Sequence, residues 1–167
     1  LWQVIECDSA AVEELAAATG TPRIIAQVLY NRGLRTPDAV AGFLDPSLAE
    51  LHDPFLLPDM EVAARRLTRA VREHEKICVH GDYDVDGVTG AALLVRALRA
   101  LSANVEYRLP HRGREGYDLK AATVDELAAS GVQLIVTCDC GINAVQAVGR
   151  ANELGVDVIV TDHHEPG

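Results

Sequence analysis

The pattern of apolar positions changes from helical to mixed helical and strand-like near residue 58 of this chain. Before that point, apolar residues recur every three or four positions in segments that begin at Ser9, Thr21-Pro22 and Thr36-Pro37. Such spacing places apolar side chains on one helix face, and Ser, Thr and Pro are favoured where helices begin. The pattern predicts three short helices, with Ser9 capping the first and Thr21 capping the second, in which Pro22 is the first helical residue. A proline-containing connection over residues 46–58 follows.

From residue 58 onward, helical stretches alternate with short apolar runs. Strands that alternate with helices form a parallel sheet, because each helix returns the chain to the same sheet edge. The predicted fold class is therefore α/β, a parallel sheet with helices on both faces, preceded by a small helical N-terminal segment. We expect that segment and its connection to span 1–57 and the α/β domain to span 58–167. The predicted helices cover about 59–74, 88–101, 121–129 and 144–154, and the predicted strands cover about 77–79, 105–109, 133–137 and 156–161.

Composition narrows the class of protein. The chain has 167 residues, of which 49% are hydrophobic, and 25 acidic against 15 basic side chains give a net charge of −10. A core of normal size fits this length. The chain contains no apolar run of the length that a membrane span needs and nothing that resembles a signal peptide. We therefore expect a cytoplasmic protein without membrane association. The acidic balance disfavours a domain that coats DNA non-specifically, but it does not exclude a nuclease with a metal site.

The four cysteines are too few and too unevenly placed for a secreted disulfide framework, which favours a reducing cytoplasm. Cys138 and Cys140 flank an aspartate, and alternation along a strand would place both thiols on one face, away from that aspartate. We therefore expect small core thiols rather than metal ligands. The chain starts without Met and stops at Gly167, shortly after an apolar run, so we expect it to be a fragment.

Acidic and imidazole side chains follow three of the four predicted strands. The first strand leads into His80–Gly87, the third into Asp139, and the fourth into Asp162-His163-His164. In a parallel α/β sheet, ligands bind at the carboxyl ends of the strands, where these side chains converge. Carboxylates and imidazoles together suit Mn²⁺, Mg²⁺ or related ions, and a carboxylate that bridges two ions is typical of two-metal hydrolases. The sequence therefore predicts a divalent-metal site.

Other interpretations of the acidic segment are weaker. The run Asp82-x-Asp84-x-Asp86-Gly87 matches the start of a calcium-binding EF-hand loop, but the twelfth position is Leu93 instead of the required Glu. A solvated acidic turn would leave three carboxylates to repel each other without a cation. The glycines of this region lack the spacing of a dinucleotide-binding loop.

Three segments resemble the motifs of a known family, the DHH phosphoesterases. They are His80–Gly87 (HGDYDVDG), residues 136–142 (VTCDCGI) and residues 160–166 (VTDHHEP). The segment 110–117 (PHRGREGY) is similar to the family branch of single-stranded-DNA-specific exonucleases, although Asp118 stands where that branch usually has Gly. This resemblance implies a phosphodiester hydrolase that degrades single-stranded DNA from 5′ to 3′ in recombination and repair by two-metal catalysis.

The resemblance also implies a ligand set for two Mn²⁺ or Mg²⁺ ions, in which Asp139 bridges both and is a catalytic residue. One ion would be held by Asp86, Asp139 and His163. The second would be held by Asp84 and Asp139, together with His80 or Asp82.

Four further residues are assigned roles by the same resemblance. Asp162 would orient the histidine pair from behind. His164 would face the scissile phosphate as a catalytic and substrate-binding residue. Arg112 would grip a phosphate, and Tyr117 would stack on a base or sugar.

Two other functions within the fold remain open at this stage: a phosphodiesterase for short oligonucleotides or signalling dinucleotides, and a catalytically inactive scaffold. The helical N-terminal segment and the PHRGREGY segment argue against the phosphodiesterase for small substrates. The intact acids and histidines argue against the inactive scaffold. The family implies single-stranded DNA as substrate, and a single-strand-binding protein and a helicase as partners. It also uses a fourth-motif acid and a closing domain that these 167 residues lack, so we expect the domain to be incomplete at its C-terminus.

Overall fold

A computed structural model describes residues 5–167, without the side chain of Glu50. Residues 1–4 of the predicted N-terminal segment therefore lie outside the described residues. The chain divides into two compact units, with the boundary between Leu56 and Leu57. Within residues 5–167, no helix combines the length and apolar character that crossing a membrane requires.

The N-terminal unit consists of short helices around a small core. Leu15, Leu29 and Val40 form this core, each contributed by a different helix. Two single 3₁₀ turns follow the third helix within the predicted connection, at Leu48–Glu50 and Pro54–Leu56. The three predicted helices are confirmed: α1 spans Ser9–Thr19, α2 spans Arg23–Asn31 and α3 spans Pro37–Leu44.

The helix starts in this unit differ in part from the prediction. Asp8 rather than Ser9 caps α1, because its Oδ1 accepts bonds from the amides of Ala10 and Ala11, at 3.0 and 3.2 Å. At α2, Pro22 is itself the cap position rather than the first helical residue. The predicted start of α3 at Thr36-Pro37 is correct, since Thr36 Oγ1 caps the helix by accepting a bond from the Ala39 amide at 3.3 Å.

The second unit contains a four-stranded sheet in the order β2-β1-β3-β4, in which every adjacent pair is parallel. The predicted parallel α/β fold is thereby confirmed. The strands are β1 (Ile77–Gly81), β2 (Val105–Arg108), β3 (Leu134–Cys138) and β4 (Asp157–Ile159), and the helices are α4 (Met60–Arg72), α5 (Val85–Ala100), α6 (Ala121–Ala129) and α7 (Val145–Glu153).

Helices cover both faces of this sheet, as the fold class predicts. Alternate residues of β1 point to opposite faces, so that Ile77 and Val79 pack with residues of α4 and α5, whereas Cys78 packs with residues of α6 and α7. β1 and β3 lie in the centre and are almost wholly buried. The segments that follow these two strands therefore begin from a buried part of the sheet.

Three details of the sequence prediction are wrong. Helix α5 begins at Val85 and not near Val88, because Asp84 caps it. The helical spacing of Val62 with Leu67 and Ala70 predicts that Val62 faces inward from α4, but it is 57% exposed. The strand alternation expected across Cys138-Asp139-Cys140 fails, because β3 ends at Cys138 and Asp139 has a left-handed backbone with φ of 63°.

The two thiols next to Asp139 nevertheless pack in the protein interior to different extents. Cys140 is fully buried and Cys138 partly buried. Burial raises the pKa of Cys140 to about 12, which keeps the thiol neutral at physiological pH. A neutral buried thiol is a poor metal ligand, in agreement with the expectation of a core residue.

Candidate metal centre

The carboxyl edge of the sheet gathers the acids and histidines that follow β1, β3 and β4. Adjacent strands end together there, because Gly81 of β1 pairs with Cys138 of β3. The loop after β1 is joined to β3 by a bond from the Asp82 amide to the Cys138 carbonyl at 3.2 Å. The segment after β4 is joined to β3 in turn, by a bond from the Asp139 amide to the Thr161 carbonyl at 3.0 Å.

The acidic segment after β1 turns directly into helix α5. Asp84 caps this helix, since its Oδ1 accepts a bond from the Gly87 amide at 3.2 Å. Gly87 has no room for a side chain, because a Cβ there would lie 2.7 Å from backbone atoms of Asp82. Gly90 is equally constrained, with an added Cβ only 2.4 Å from the Cys138 sulfur. The first turn of α5 thus lies against Asp82, and its second turn lies against Cys138 at the end of β3.

Asp139 occupies the centre of the site. Its left-handed backbone turns the chain out of β3, and aspartate is one of the few residues that adopts this conformation readily. Its side chain is 6% exposed, and His163 Nε2 lies 2.9 Å from its Oδ1. That oxygen is buried and still has no hydrogen-bond partner of good geometry. Burial, followed by the nearby charges of Asp86 and Asp84, raises the pKa of Asp139.

Asp162 holds the histidine turn in place. Its Oδ1 accepts bonds from the amides of His163 and His164, at 2.8 and 3.1 Å, and contacts His164 Nδ1 at 2.7 Å. Its Oδ2 accepts a bond from the Ile142 amide at 3.0 Å. Burial opposes ionisation of Asp162, but these bonds outweigh it and lower its pKa. The hydrogen bond to Asp162 in turn raises the pKa of His164.

Two groups of side chains have the spacing of metal ligands, and Asp139 belongs to both. The first is Asp139, His163 and His164, and the second is Asp82, Asp84 and Asp139. Within each group, one ligand atom per residue lies within 4.8 Å of the others. Asp139 can therefore serve both groups, which is the arrangement of a bridging carboxylate.

The chemistry of these atoms fits divalent cations. Asp82 is 3% exposed, and its Oδ1, like that of Asp139, is buried without a hydrogen-bond partner. Unpartnered buried carboxylate oxygens are costly, and a cation removes the cost. Oxygen and imidazole donors are those that Mn²⁺ and Mg²⁺ sites use.

Two residues from the expected ligand set lie outside both groups. Asp86 is exposed, with its Oδ2 3.7 Å from His163 Nε2, and it shares a hydrogen bond with Asp84 that helps to lower the pKa of Asp84. His80 is 1% exposed, and neither ring nitrogen has a partner. Burial, then the charge of Arg108, lowers the pKa of His80 to about 4, so the imidazole is neutral. Both residues stay predicted ligands, and Asp86 lies beside His163, a member of the first group.

The segment 110–117 places its two expected substrate residues beside the acids. The Arg112 guanidinium carbon lies 4.4 Å from the centroid of the ring of Tyr83, a residue within the acidic segment. The Tyr117 hydroxyl donates to the Asp139 carbonyl at 3.2 Å and lies 3.1 Å from His164 Nδ1. Asp118 keeps the turn that glycine would favour, with φ of 77° and its own Oδ1 bonded to the Leu119 amide. The departure from the family pattern therefore leaves this turn intact.

Several residues that shape the site were not anticipated from the sequence. Thr137, which is fully buried in β3, accepts a bond from the Thr161 amide through its hydroxyl and a bond from the Thr161 hydroxyl through its carbonyl. Asn143 Oδ1 accepts a bond from the Gly167 amide at 2.7 Å. Glu115 bonds both the strand end and its own loop. None of these polar side chains belongs to a periodic apolar pattern, so the pattern carried no signal for them.

The fold and the site define a parallel α/β protein with a carboxylate- and histidine-rich centre for divalent cations. A model of the "DHH family, N-terminal domain" matches residues 76–167. This match covers more than half of the chain, which therefore belongs to the DHH family.

Relatives with assigned functions are similar over nearly the whole chain. The single-stranded-DNA-specific exonuclease RecJ of Bacillus subtilis is 39% identical over 166 residues, which are 99% of this chain and 21% of the relative. The enzyme of the same name from Thermus thermophilus is 42% identical over 168 residues, 99% of this chain and 24% of the relative. The chain thus spans between a fifth and a quarter of the length of these relatives.

Solved structures agree with this assignment. The crystal structure of RecJ in complex with Mn²⁺ from Thermus thermophilus superposes with a TM-score of 0.72 at 38% identity, over 98% of this chain and 22% of that one. The crystal structure of exonuclease RecJ bound to manganese gives a TM-score of 0.63 at 47% identity, over 67% of this chain and 29% of that one.

Proposed function

We propose that this chain is the metal-binding part of an exonuclease that hydrolyses single-stranded DNA from the 5′ end, in recombination and repair. The observation that carries this proposal is the position of Asp139 in both ligand groups. The substrate class follows from the relatives, which are single-stranded-DNA-specific exonucleases, and the metal follows from the solved relative that is bound to manganese. Single-stranded DNA is accordingly the proposed substrate.

In this proposal, Asp86, Asp139 and His163 would hold one Mn²⁺ or Mg²⁺, and Asp84 and Asp139, together with His80 or Asp82, would hold another. Ions bound there supply Lewis-acid stabilisation of the charge that develops on the phosphate. The sharing of Asp139 fixes the separation of the two ligand groups.

His164 has a second role beside the scissile phosphate. Asp162 fixes its ring through Nδ1 and raises its pKa, so that the imidazole carries positive charge more readily. A positive group held in place stabilises negative charge that develops during phosphodiester cleavage. Asp162 is thus the orienting residue and His164 the catalytic one.

Arg112 and Tyr117 contribute to substrate binding. The Arg112 guanidinium lies beside the acidic segment and has the planar fork that pairs with phosphate oxygens. Tyr117 is 37% exposed, which leaves a ring edge accessible to a base or sugar. We further propose a cytoplasmic location, consistent with four free cysteines, and the single-strand-binding protein and helicase partners that the family implies.

Digestion of labelled DNA by the intact protein with Mn²⁺ tests this function. We expect mononucleotides from the 5′ end of a single strand, little cleavage of a duplex, and no preference for dinucleotides. Equal release from 3′ and 5′ ends, or faster cleavage of dinucleotides, would contradict the proposal.

A variant at the shared carboxylate tests the mechanism in the same assay. Asn tolerates the left-handed backbone of residue 139 better than Ala does, so Asp139→Asn isolates the loss of charge. We expect a loss of at least about a hundredfold in rate, whereas Glu61→Gln, on the exposed face of α4, leaves the rate unchanged. An Asp139→Asn enzyme above about a hundredth of the wild-type rate removes the two-metal interpretation.

A further inference from the structure

The loop between β2 and α6 carries both proposed substrate residues, yet it has no regular secondary structure over residues 109–120. Arg112 and Tyr117 lie five residues apart on this loop and reach opposite parts of the site, one at Tyr83 and the other at Asp139. A loop of this kind positions side chains accurately only when other bonds restrict its backbone.

Glu115 supplies such bonds within the loop. Its Oε2 accepts the His111 amide at 2.5 Å, and its own amide donates to the His111 carbonyl at 2.9 Å. The amide of Arg114 donates to the same carbonyl at 2.9 Å. These bonds close residues 111–115 into a turn, with Arg112 inside it.

The same carboxylate fastens the turn to the sheet. Glu115 Oε1 accepts a bond from Arg108 Nη2 at 2.6 Å, and Arg108 is the last residue of β2. Arg108 has a second partner in Glu126 of α6, with Nη1 and Oε2 3.0 Å apart. Arg108 therefore stays paired and in place when Glu115 is removed, which makes Glu126 a matched control for the loss of one ion pair.

Glu115 is unsuited to direct contact with the substrate. Its two oxygens are already bonded to Arg108 and to the His111 amide, and a carboxylate repels a phosphodiester. Any effect on the reaction must therefore pass through the residues of its turn.

We propose that Glu115 is a positioning residue, which ties the loop 111–117 to the end of β2 and so presents Arg112 to the phosphate of the substrate. This inference rests on the proposed nuclease function for its substrate. It adds a role for an acid that belongs to neither ligand group.

The kinetic test uses the intact protein with Mn²⁺ and a 5′-phosphorylated single strand. Glu115→Ala is expected to raise KM about fivefold or more and to change kcat less than about twofold, because loop order affects binding rather than the metal centre. Glu115→Gln keeps an acceptor for the His111 amide, so its KM is expected to lie between those of wild type and Glu115→Ala. Glu126→Gln removes the other ion pair of Arg108 and is expected to leave KM unchanged.

Three physical readouts separate positioning from general destabilisation. Trypsin cleavage after Arg112 or Arg114 is expected to be faster in Glu115→Ala, with Mn²⁺ affinity and the thermal midpoint close to wild type. A double variant with Arg112→Ala is expected to show less than the product of the two KM effects, because an unordered Arg112 contributes little.

The outcomes distinguish this inference from the function on which it rests. Wild-type KM and wild-type trypsin resistance in an active Glu115→Ala enzyme would overturn the positioning role and leave the nuclease function standing. A wild-type protein without metal-dependent cleavage would overturn the function, while the trypsin comparison would still report on the loop. If Glu115→Ala lowers the thermal midpoint strongly, Glu115→Gln decides, and unchanged KM and trypsin resistance in that variant would overturn the role.

Discussion

The acids at the two edges of the same sheet are in opposite electrostatic situations. At the amino edge, Glu75 precedes β1 and Asp157 begins β4, and Arg66 of α4 bonds to both, with its Nη2 2.6 Å from Glu75 Oε2. Arg69 adds a second cation, 3.4 Å from Asp157. At the carboxyl edge, Asp82, Asp84 and Asp139 have no Lys or Arg within ion-pair distance among residues 5–167. Two of their oxygens are buried without a hydrogen bond, although His163 Nε2 lies 2.9 Å from the one on Asp139.

This difference in Arg partners distinguishes acids that stabilise the fold from acids that are available to bind a cation. A paired acid contributes to stability in the metal-free protein, and removal of its partner leaves a buried charge uncompensated. A group of unpaired acids destabilises the metal-free protein, and its repulsion is relieved when a cation binds. Stability and metal binding should therefore respond to different substitutions.

The largest effect on stability is expected at the amino edge. Arg66→Ala removes the main partner of Glu75 and Asp157, and the side chains of Arg66 and Glu75 are only 15% and 9% exposed. We expect the free energy of unfolding to fall by about 3 to 4 kcal/mol in urea titrations of the metal-free protein. Mn²⁺ binding should be unchanged.

Arg65→Ala is the matched control, one residue earlier on the same helix. Arg65 pairs with Glu61 at the surface, where both side chains are about two-thirds exposed. Such a pair contributes at most about 0.5 kcal/mol. Equal losses from Arg65→Ala and Arg66→Ala would mean that the network at the amino edge has no special role.

The next largest effect is expected on the pH dependence of the free energy of unfolding. It arises from His80 at the carboxyl edge, whose ring nitrogens have no hydrogen-bond partner. Burial lowers the pKa of His80 to about 4 in the folded protein, from 6.5, so the unfolded chain binds more protons between these two values. The free energy of unfolding should then fall by about 2 to 3 kcal/mol as the pH decreases from 7 to 4.

The measurement for His80 compares wild type and His80→Gln in chelator, so that no metal contributes. The variant removes the titrating group, and its stability should depend less steeply on pH in this window. Identical slopes for both proteins would show that His80 does not titrate differently in the folded state.

A smaller effect is expected at Arg112, the cation nearest to the unpaired acids. It stacks on Tyr83 rather than pairing with an acid, which leaves its fork free for a substrate phosphate. Arg112→Ala in the intact protein should reduce the preference for 5′-phosphorylated over 5′-hydroxyl ends by about tenfold. Arg114→Ala removes the same charge two residues further along the loop and should have a smaller effect. Equal losses would shift the end-recognition role to the charge of the loop as a whole.

The convergence of acids at one edge was predictable from the order of elements alone. Parallel strands end on the same side, so the residues that follow β1, β3 and β4 had to meet. The three motifs then identified the family. The paired acids at the other edge were not anticipated, because the partners of Asp157 come from α4, about ninety residues earlier in the chain.

Features set by local backbone geometry were missed. The periodicity of apolar residues began α5 at Val88, since it does not register the cap that Asp84 forms with the Gly87 amide. It also placed Cys138 and Cys140 on one face, since nothing in the pattern marks the left-handed backbone at Asp139. Ile24 of α2 has helical spacing and is 66% exposed, because periodicity predicts a helix without predicting what covers each face.

The central claim is that Asp139 serves two metal sites at once. Mn²⁺ titration of the metal-free protein, followed by electron paramagnetic resonance of the free ion, measures the number of ions bound. We expect two ions per chain for wild type and for Arg66→Ala, and loss of both at comparable Mn²⁺ concentrations for Asp139→Asn. Two ions bound with wild-type affinity by Asp139→Asn would contradict the claim.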